Sequence, residues 1–406
     1  MTGRSGAAAP ATSVVRGGAV LAGALAVANA LGYALNLVAS RVLGPREFGA
    51  FAALLGIVLV ANVGALALQS VTARGLASPG SHPAHALRRL GAGTALAVGA
   101  ALAAAAPLLA AFLHVEVHQM LLVAAAIVPM TLVGSPLGLA QGAERFPVLA
   151  ALYVAVVAGK MGGALVGLAV RADVTAGLVG MLVGSVLAAA AASLVSHGPG
   201  GDPVEAREAG RAPRLAAEVF TAALALFAFF GLTNVDVLLA RHHLPAADAG
   251  LYALGAVVAK GTFWFPQFVS VLAYPMLVDS ARRARAMRIS VAVVTAAGIT
   301  ATAGAALAPG IVVRALGGSA YAGLERQVWL FAAVGSLFAL AQLLLYARLA
   351  RGDRSAAVSV TLAVTALVVA VQAGADSSVR AIALTVCATA GALCAAGVVA
   401  ERRSPP

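Results

Sequence analysis

The chain has 406 residues, 61% of them hydrophobic and only 10% charged, whereas a soluble protein carries about 25% charged residues. Its charges fall in short gaps between apolar runs of about 20 residues, the length that crosses roughly 30 Å of hydrocarbon, which excludes a soluble globular fold. The net charge of +12 resides in those gaps, with no basic stripe interleaved with aromatics, so it reads as membrane topology and contact with anionic lipid heads rather than as nucleic-acid binding.

In hydrocarbon the backbone must satisfy its own hydrogen bonds, and runs of this length do so as helices rather than barrel strands. The expected fold is therefore all-α and polytopic, with about twelve transmembrane helices. The spans fall near 17–40, 50–73, 90–113, 119–141, 147–170, 174–196, 216–240, 249–275, 289–312, 327–347, 356–374 and 380–400.

A cytoplasmic tail, 1–16, precedes the first span. That span carries Asn29, Gly32, Tyr33, Asn36 and Ser40 along one helical face, and such a stripe either binds neighbouring helices or lines a cavity. A signal-peptide reading, with a cut near Ala26-Val-Ala28, would remove half of a repeat described below. Arg41 and Arg46 follow at the span's outer end, where snorkelling to the interface is the ordinary role.

The gap after the first span reads Leu43-Gly-Pro-Arg-Glu-Phe-Gly-Ala-Phe51, and 201 residues later the chain reads Leu244-Pro-Ala-Ala-Asp-Ala-Gly-Leu-Tyr252. Each copy has a leucine, an acid four residues on, then glycine, then an aromatic. An offset of half the chain is how two like-oriented halves read. The expected organisation is an N-lobe of six helices, 17–196, and a C-lobe of six, 216–400, related by a pseudo-two-fold axis. A linker at 197–215 joins them, and a tail at 401–406 ends the chain.

Within the fifth span Lys160 lies seven residues after Tyr153, and Arg171-Ala-Asp173 leaves room only for a tight hairpin into the sixth. The seventh span holds Asn234 and Asp236 near its outer end, with Arg241 just beyond. The eighth carries Tyr252, Lys260, Trp264, Gln267 and Tyr274 on roughly one face, with Pro266 and Pro275 able to kink it. The last span carries the only cysteines, Cys387 and Cys394. They are about 10 Å apart along the helix and cannot bond each other.

With the N-terminus inside, eighteen arginines flank cytoplasmic ends and seven flank outer ends. The bias places both termini in the cytoplasm of a multi-pass cell-membrane protein.

Three stretches resemble one family. Arg41-Val-Leu-Gly-Pro-Arg-Glu-Phe-Gly-Ala-Phe51, Gln141-Gly-Ala-Glu-Arg-Phe146 and Asn234-Val-Asp-Val-Leu-Leu-Ala-Arg-His-His-Leu-Pro-Ala-Ala-Asp-Ala-Gly-Leu-Tyr252 look like the corresponding turns of bacterial polysaccharide flippases. This is the O-antigen and exopolysaccharide lipid-linked oligosaccharide group of the multidrug/oligosaccharidyl-lipid/polysaccharide exporter superfamily. The resemblance implies two V-arranged six-helix lobes that alternate access while moving a lipid-linked glycan outward.

The residues also speak without that resemblance. A lysine at membrane depth costs roughly 2.5–3.5 kcal/mol on insertion scales and must be compensated. Lys260 could attract a diphosphate, with Trp264 and Tyr252 offering flat surfaces to sugar rings and Gln267 an amide. It could equally be paired with Asp236 in a static core. Lys160, Asn29, Tyr33, Asn36 and Arg41 are further candidates for substrate contact. Asn234, Asp236 and Arg241 are candidates for an ion pair or for a coupling proton or sodium ion.

Every first-half acid lies in a gap, so the membrane-depth charges are mainly lysines. That suits an anionic head group better than a cationic drug. The leading reading is a flippase for a lipid-diphosphate-linked oligosaccharide, with lipids as its other partners. The alternatives are a cation-coupled drug antiporter of the same superfamily, a major-facilitator transporter, or an integral-membrane glycosyltransferase. The last lacks the exposed acids such an enzyme needs, so no enzymatic activity is expected, and no motif implies a metal or cofactor.

Overall fold

The computed structural model describes residues 11–77, 84–196, 218–220, 223, 231, 233–264, 280–350, 355–374 and 378–403. Almost all of them are helical and none is in a strand. Eight helical stretches among them are long and apolar enough to cross a membrane. The protein is an all-α polytopic membrane protein.

The first helix, α1 (Ala11–Ala61), is broken at Gly44, whose φ of 68° and ψ of 173° are open to glycine and strained for other residues. Pro45 then restarts the helix, with its fixed φ suited to a first turn and its missing N–H no loss there. Two helical segments therefore meet at Gly44. The turn is one residue, tighter than the gap at 41–49 read from sequence, because Gly44-Pro45 stops one helix and starts the next without a loop.

There follow α2 (Val63–Ala77), α3 (Ala84–Leu113), α4 (Val117–Leu132), α5 (Gly134–Gly142) and α6 (Phe146–Val157). A π-helical turn, Ala158–Gly162, leads into α7 (Gly163–Val170), and α8 is Val174–Ser196. The hairpin before α8 is closed by an Arg171–Asp173 ion pair. Asp173 also caps α8, its Oδ1 accepting from the Ala176 amide at 2.7 Å. The second half contributes α9 (Val235–His243), α10 (Ala246–Trp264), α11 (Ser280–Leu307), α12 (Pro309–Gly317), a short 3-10 turn (Ser319–Leu324), α13 (Val328–Ala350), α14 (Ser355–Gln372) and α15 (Val379–Arg403).

By contacts the chain forms two compact units. The first comprises Met1–Leu35, Ala61–Ala106 and His118–Ala223. Its tightest pairing joins the π turn and α7 to α8: a side chain at Gly163 would meet the Gly180 carbonyl, and one at Gly167 the Ala176 carbonyl. Helices in lipid gain little from the hydrophobic effect against one another, so such small-residue seams hold them by close packing. Elsewhere in this unit Gln69 donates to the Gln141 side-chain oxygen at 2.8 Å and shares hydrogen bonds with the Tyr153 hydroxyl. These bonds tie α2 to α5 and α6.

The second unit comprises Asn36–Val60, Pro107–Val117 and Leu224–Pro406. It takes in Asn36–Val60 and Pro107–Val117 from the first half of the chain. The linker itself lies outside the described residues. The core of this unit gathers Phe263, Val294, Leu343, Leu344 and Leu367 among others. Cys387 and Cys394 are both free thiols, and Cys394 donates to the Leu337 carbonyl.

Candidate functional site

The membrane-depth charges of the second unit meet where α9 and α10 run back along each other after the Leu244-Pro245 turn. Asp236 is buried in the first turn of α9. Its Oδ2 accepts from the Tyr252 hydroxyl of α10 at 3.1 Å, while Oδ1 is buried with no hydrogen-bond partner. Two turns further along α10, the Lys260 ammonium donates to the side-chain oxygen of Asn234 at 3.1 Å. Asn234 immediately precedes α9 and is 3% exposed. The spacing of eight residues from Tyr252 to Lys260 puts both on one helical face, and that face meets α9.

This arrangement separates two pairings that the sequence left open. Lys260 bonds to the neutral Asn234 amide and not to the Asp236 carboxylate. Arg241 does not reach Asp236 either; its guanidinium donates to the Leu113 and His114 carbonyls, both at 2.9 Å. Asp236 therefore takes one side-chain hydrogen bond, from Tyr252, beside the backbone amides of its own turn.

Tyr252, expected to offer a ring to a sugar, is 1% exposed. It stands edge-on to Phe331 of α13 with ring centroids 5.1 Å apart. Its ring packs and its hydroxyl holds Asp236, because the face it shares with Lys260 turns toward α9 and α13. Trp264 does present a surface, 37% exposed, and packs edge-on against Phe263. Gln267 lies outside the described residues.

Lys160 belongs to the first unit. It is 9% exposed and, among the described residues, has no hydrogen-bond or ion-pair partner. It sits within the π turn, a widened coil that inserts a residue into a helix and is frequent at functional sites. Asn29 is exposed and Tyr33 half-buried in that unit, and Asn36 is half-buried in the other. Arg41 lies at the end of the first pass, donating to the Ala315 carbonyl. The carboxylate, the two lysines and the asparagine were visible in the sequence. Phe331 and the Gln69–Tyr153 bond were not, since each needs a partner distant in the chain.

The sequence matches no described protein family and no curated protein. Solved structures do match over nearly the whole chain. A lipid II flippase, MurJ, in an inward closed conformation aligns with a TM-score of 0.73 at 12% identity, covering 95% of this chain and 88% of the flippase. An inward-facing multidrug resistance MATE-family transporter of the MOP superfamily aligns with a TM-score of 0.73 at 9% identity, covering 91% of this chain and 93% of the transporter. The eukaryotic MATE transporter AtDTX14 aligns with a TM-score of 0.63 at 11% identity, covering 96% of both chains. The fold is that of the MOP-superfamily transporters. At these identities the likeness concerns the path of the chain, and the site residues rest on their own geometry.

Proposed function

We propose that the protein moves a lipid-diphosphate-linked oligosaccharide, or a related polysaccharide precursor, from the cytoplasmic to the outer leaflet by alternating access. The observation that carries this reading is the state of the membrane-depth lysines. Lys260 is held by a neutral amide at 3.1 Å, and Lys160 is buried with no partner among the described residues. Lys160, a buried cation with no carboxylate beside it among the described residues, is poorly compensated, and an anionic substrate would supply the missing charge. Lysine suits this role as a flexible point charge for phosphate. Trp264, exposed four residues beyond Lys260, offers a ring face to a sugar. The fold it shares with a lipid II flippase supports the same reading.

The test is outward movement of labelled lipid-linked oligosaccharide in proteoliposomes. Lys260→Gln is expected to reduce the rate at least tenfold with the melting temperature unchanged, and Lys260→Arg to retain part of the activity. Full transport by a stable Lys260→Gln variant would reject the substrate role.

One observation favours the second reading, a cation-coupled antiporter. The unpaired, buried Oδ1 of Asp236 is an acceptor suited to a proton or a small cation. That reading gains if Asp236→Asn stops gradient-driven movement of a cationic dye in proteoliposomes that move no glycan.

A further inference from the structure

The helix ends of the second unit are capped in a reciprocal pattern. At the end of the first pass, the Ser40 hydroxyl donates to the Leu316 carbonyl at 2.9 Å, and Arg41 donates to the Ala315 carbonyl. Both acceptors close the C-terminal end of α12. The Tyr321 hydroxyl returns a bond to the Ser40 carbonyl at 3.0 Å, and its ring stands edge-on to Phe48. Burial pushes the Tyr321 phenol above its ordinary range, so it remains a donor.

At the end of α9, Arg241 donates to the Leu113 and His114 carbonyls that close α3. A ring nitrogen of His242 lies 2.7 Å from the Phe112 carbonyl, and the His242 ring stacks on Phe112 with centroids 4.0 Å apart. His114 has a φ of 50°, a conformation usually left to glycine at a helix end. Its carbonyl is held there by Arg241.

The two caps occupy corresponding places in the repeat, although the arginine stands at the second position of one residue pair and the first of the other. The repeat offset of 201 residues carries Ser40 and Arg41 onto Arg241 and His242, and His114 onto Ala315. Each cap joins a residue pair from one half of the sequence to a helix end from the other half. The glycines of the repeat follow in the next helical segments, Gly49 in α1 beyond the Gly44 break and Gly250 in α10: a side chain at Gly49 would meet the Gly250 nitrogen at 2.8 Å, and one at Gly250 would meet the Pro45 carbonyl. Carbonyls at a helix C-terminus attract cations through the helix dipole, so arginine fits these positions.

We infer that the two caps form a paired clasp that fastens this end of the protein, and that both must release for it to open. Ordinary helix capping would not require the partner residues to come from opposite halves of the sequence, nor to repeat at the same offset. The inference is independent of which substrate is carried.

The experiment uses full-length protein in lipid nanodiscs, where both faces are accessible, with Cys387 and Cys394 replaced by alanine. The reporter is Ala53→Cys. Ala53 is fully buried and shares a helical face with Gly49 and Gly56, the latter packed against Leu238. Reaction with a water-soluble maleimide is expected to be slow. Arg41→Gln with Tyr321→Phe releases one cap and Arg241→Gln the other, and each should raise the rate only a few-fold. Together they should raise it by more than the product of the separate effects, because either cap alone holds the end closed.

Hydrogen–deuterium exchange at 107–117 and 309–324, in protein without the Ala53→Cys change, provides a second reading. Releasing the Arg241 cap should speed exchange in the distant 309–324 segment as well as locally. A lowered melting temperature with unchanged reactivity at Ala53→Cys, or exchange that rises only beside each substitution, would show independent helix caps and overturn the clasp.

Discussion

At the level of single residues, the informative contrast is between Lys260 and Asp236. They lie within electrostatic range of each other, yet each takes a neutral partner: Asn234 for the lysine and Tyr252 for the acid. A hydrogen bond to a charged group contributes about 1.5–3 kcal/mol, and leaving a buried acceptor unpaired costs more than the bond itself contributes. Tyr252→Phe keeps the ring against Phe331 and removes only the donor. It should lower the melting temperature in detergent by several degrees. In an Asp236→Ala background the same change should have almost no effect. Equal losses in both backgrounds would mean that the hydroxyl does not support the carboxylate.

Among the secondary-structure elements, the pairing of the π turn and α7 with α8 is the most constrained. The glycines that permit it are not interchangeable with their neighbours. Gly163 faces the Gly180 carbonyl, whereas Gly162 has nothing within 4 Å of where a side chain would start. Gly163→Leu should force the helices apart and reduce folded yield severely, since overpacking against a backbone typically costs 1–3 kcal/mol or more. Gly162→Ala should leave yield and melting temperature close to wild type. The comparison is read by fluorescence-detected size-exclusion chromatography, and equal behaviour of the two variants would refute close packing as the source of the pairing. The π turn carries Lys160 into this helix pair.

For the whole molecule, orientation is the property with most bearing on function. The arginine bias, eighteen against seven, requires that reporter fusions at Gly200 and at the C-terminus be cytoplasmic and a fusion at Ser319 be outside. Gly200 and the C-terminus on opposite faces would break the two-lobe reading. The same orientation would put Gly49, Gly250 and the clasp at the outer end. The fold itself, shared with MurJ and MATE transporters at TM-scores of 0.73, is compatible with either direction of movement.

The class, the apolar runs and the recurring motif are all legible in the sequence by itself. Each of these is written in local composition: apolar runs long enough for a bilayer, charges expelled to the gaps, and a glycine-centred motif recurring at half the chain length. It also exposed Lys160, Asp236 and Lys260, because a charge at membrane depth stands out against apolar neighbours. Their partners were a different matter. Whether Lys260 meets Asp236 or Asn234 depends on how α9 and α10 are rotated and offset along each other, a few ångströms that helical periodicity leaves undetermined. Likewise Arg41 and Arg241 read as interface residues, since a polar end on a long stem ordinarily reaches for water. Only tertiary structure brought α12 and α3 within reach, so that their open carbonyls rather than water became the partners of those side chains. A sequence records what each residue can bond to, while the packing of distant helices decides which of those bonds is made.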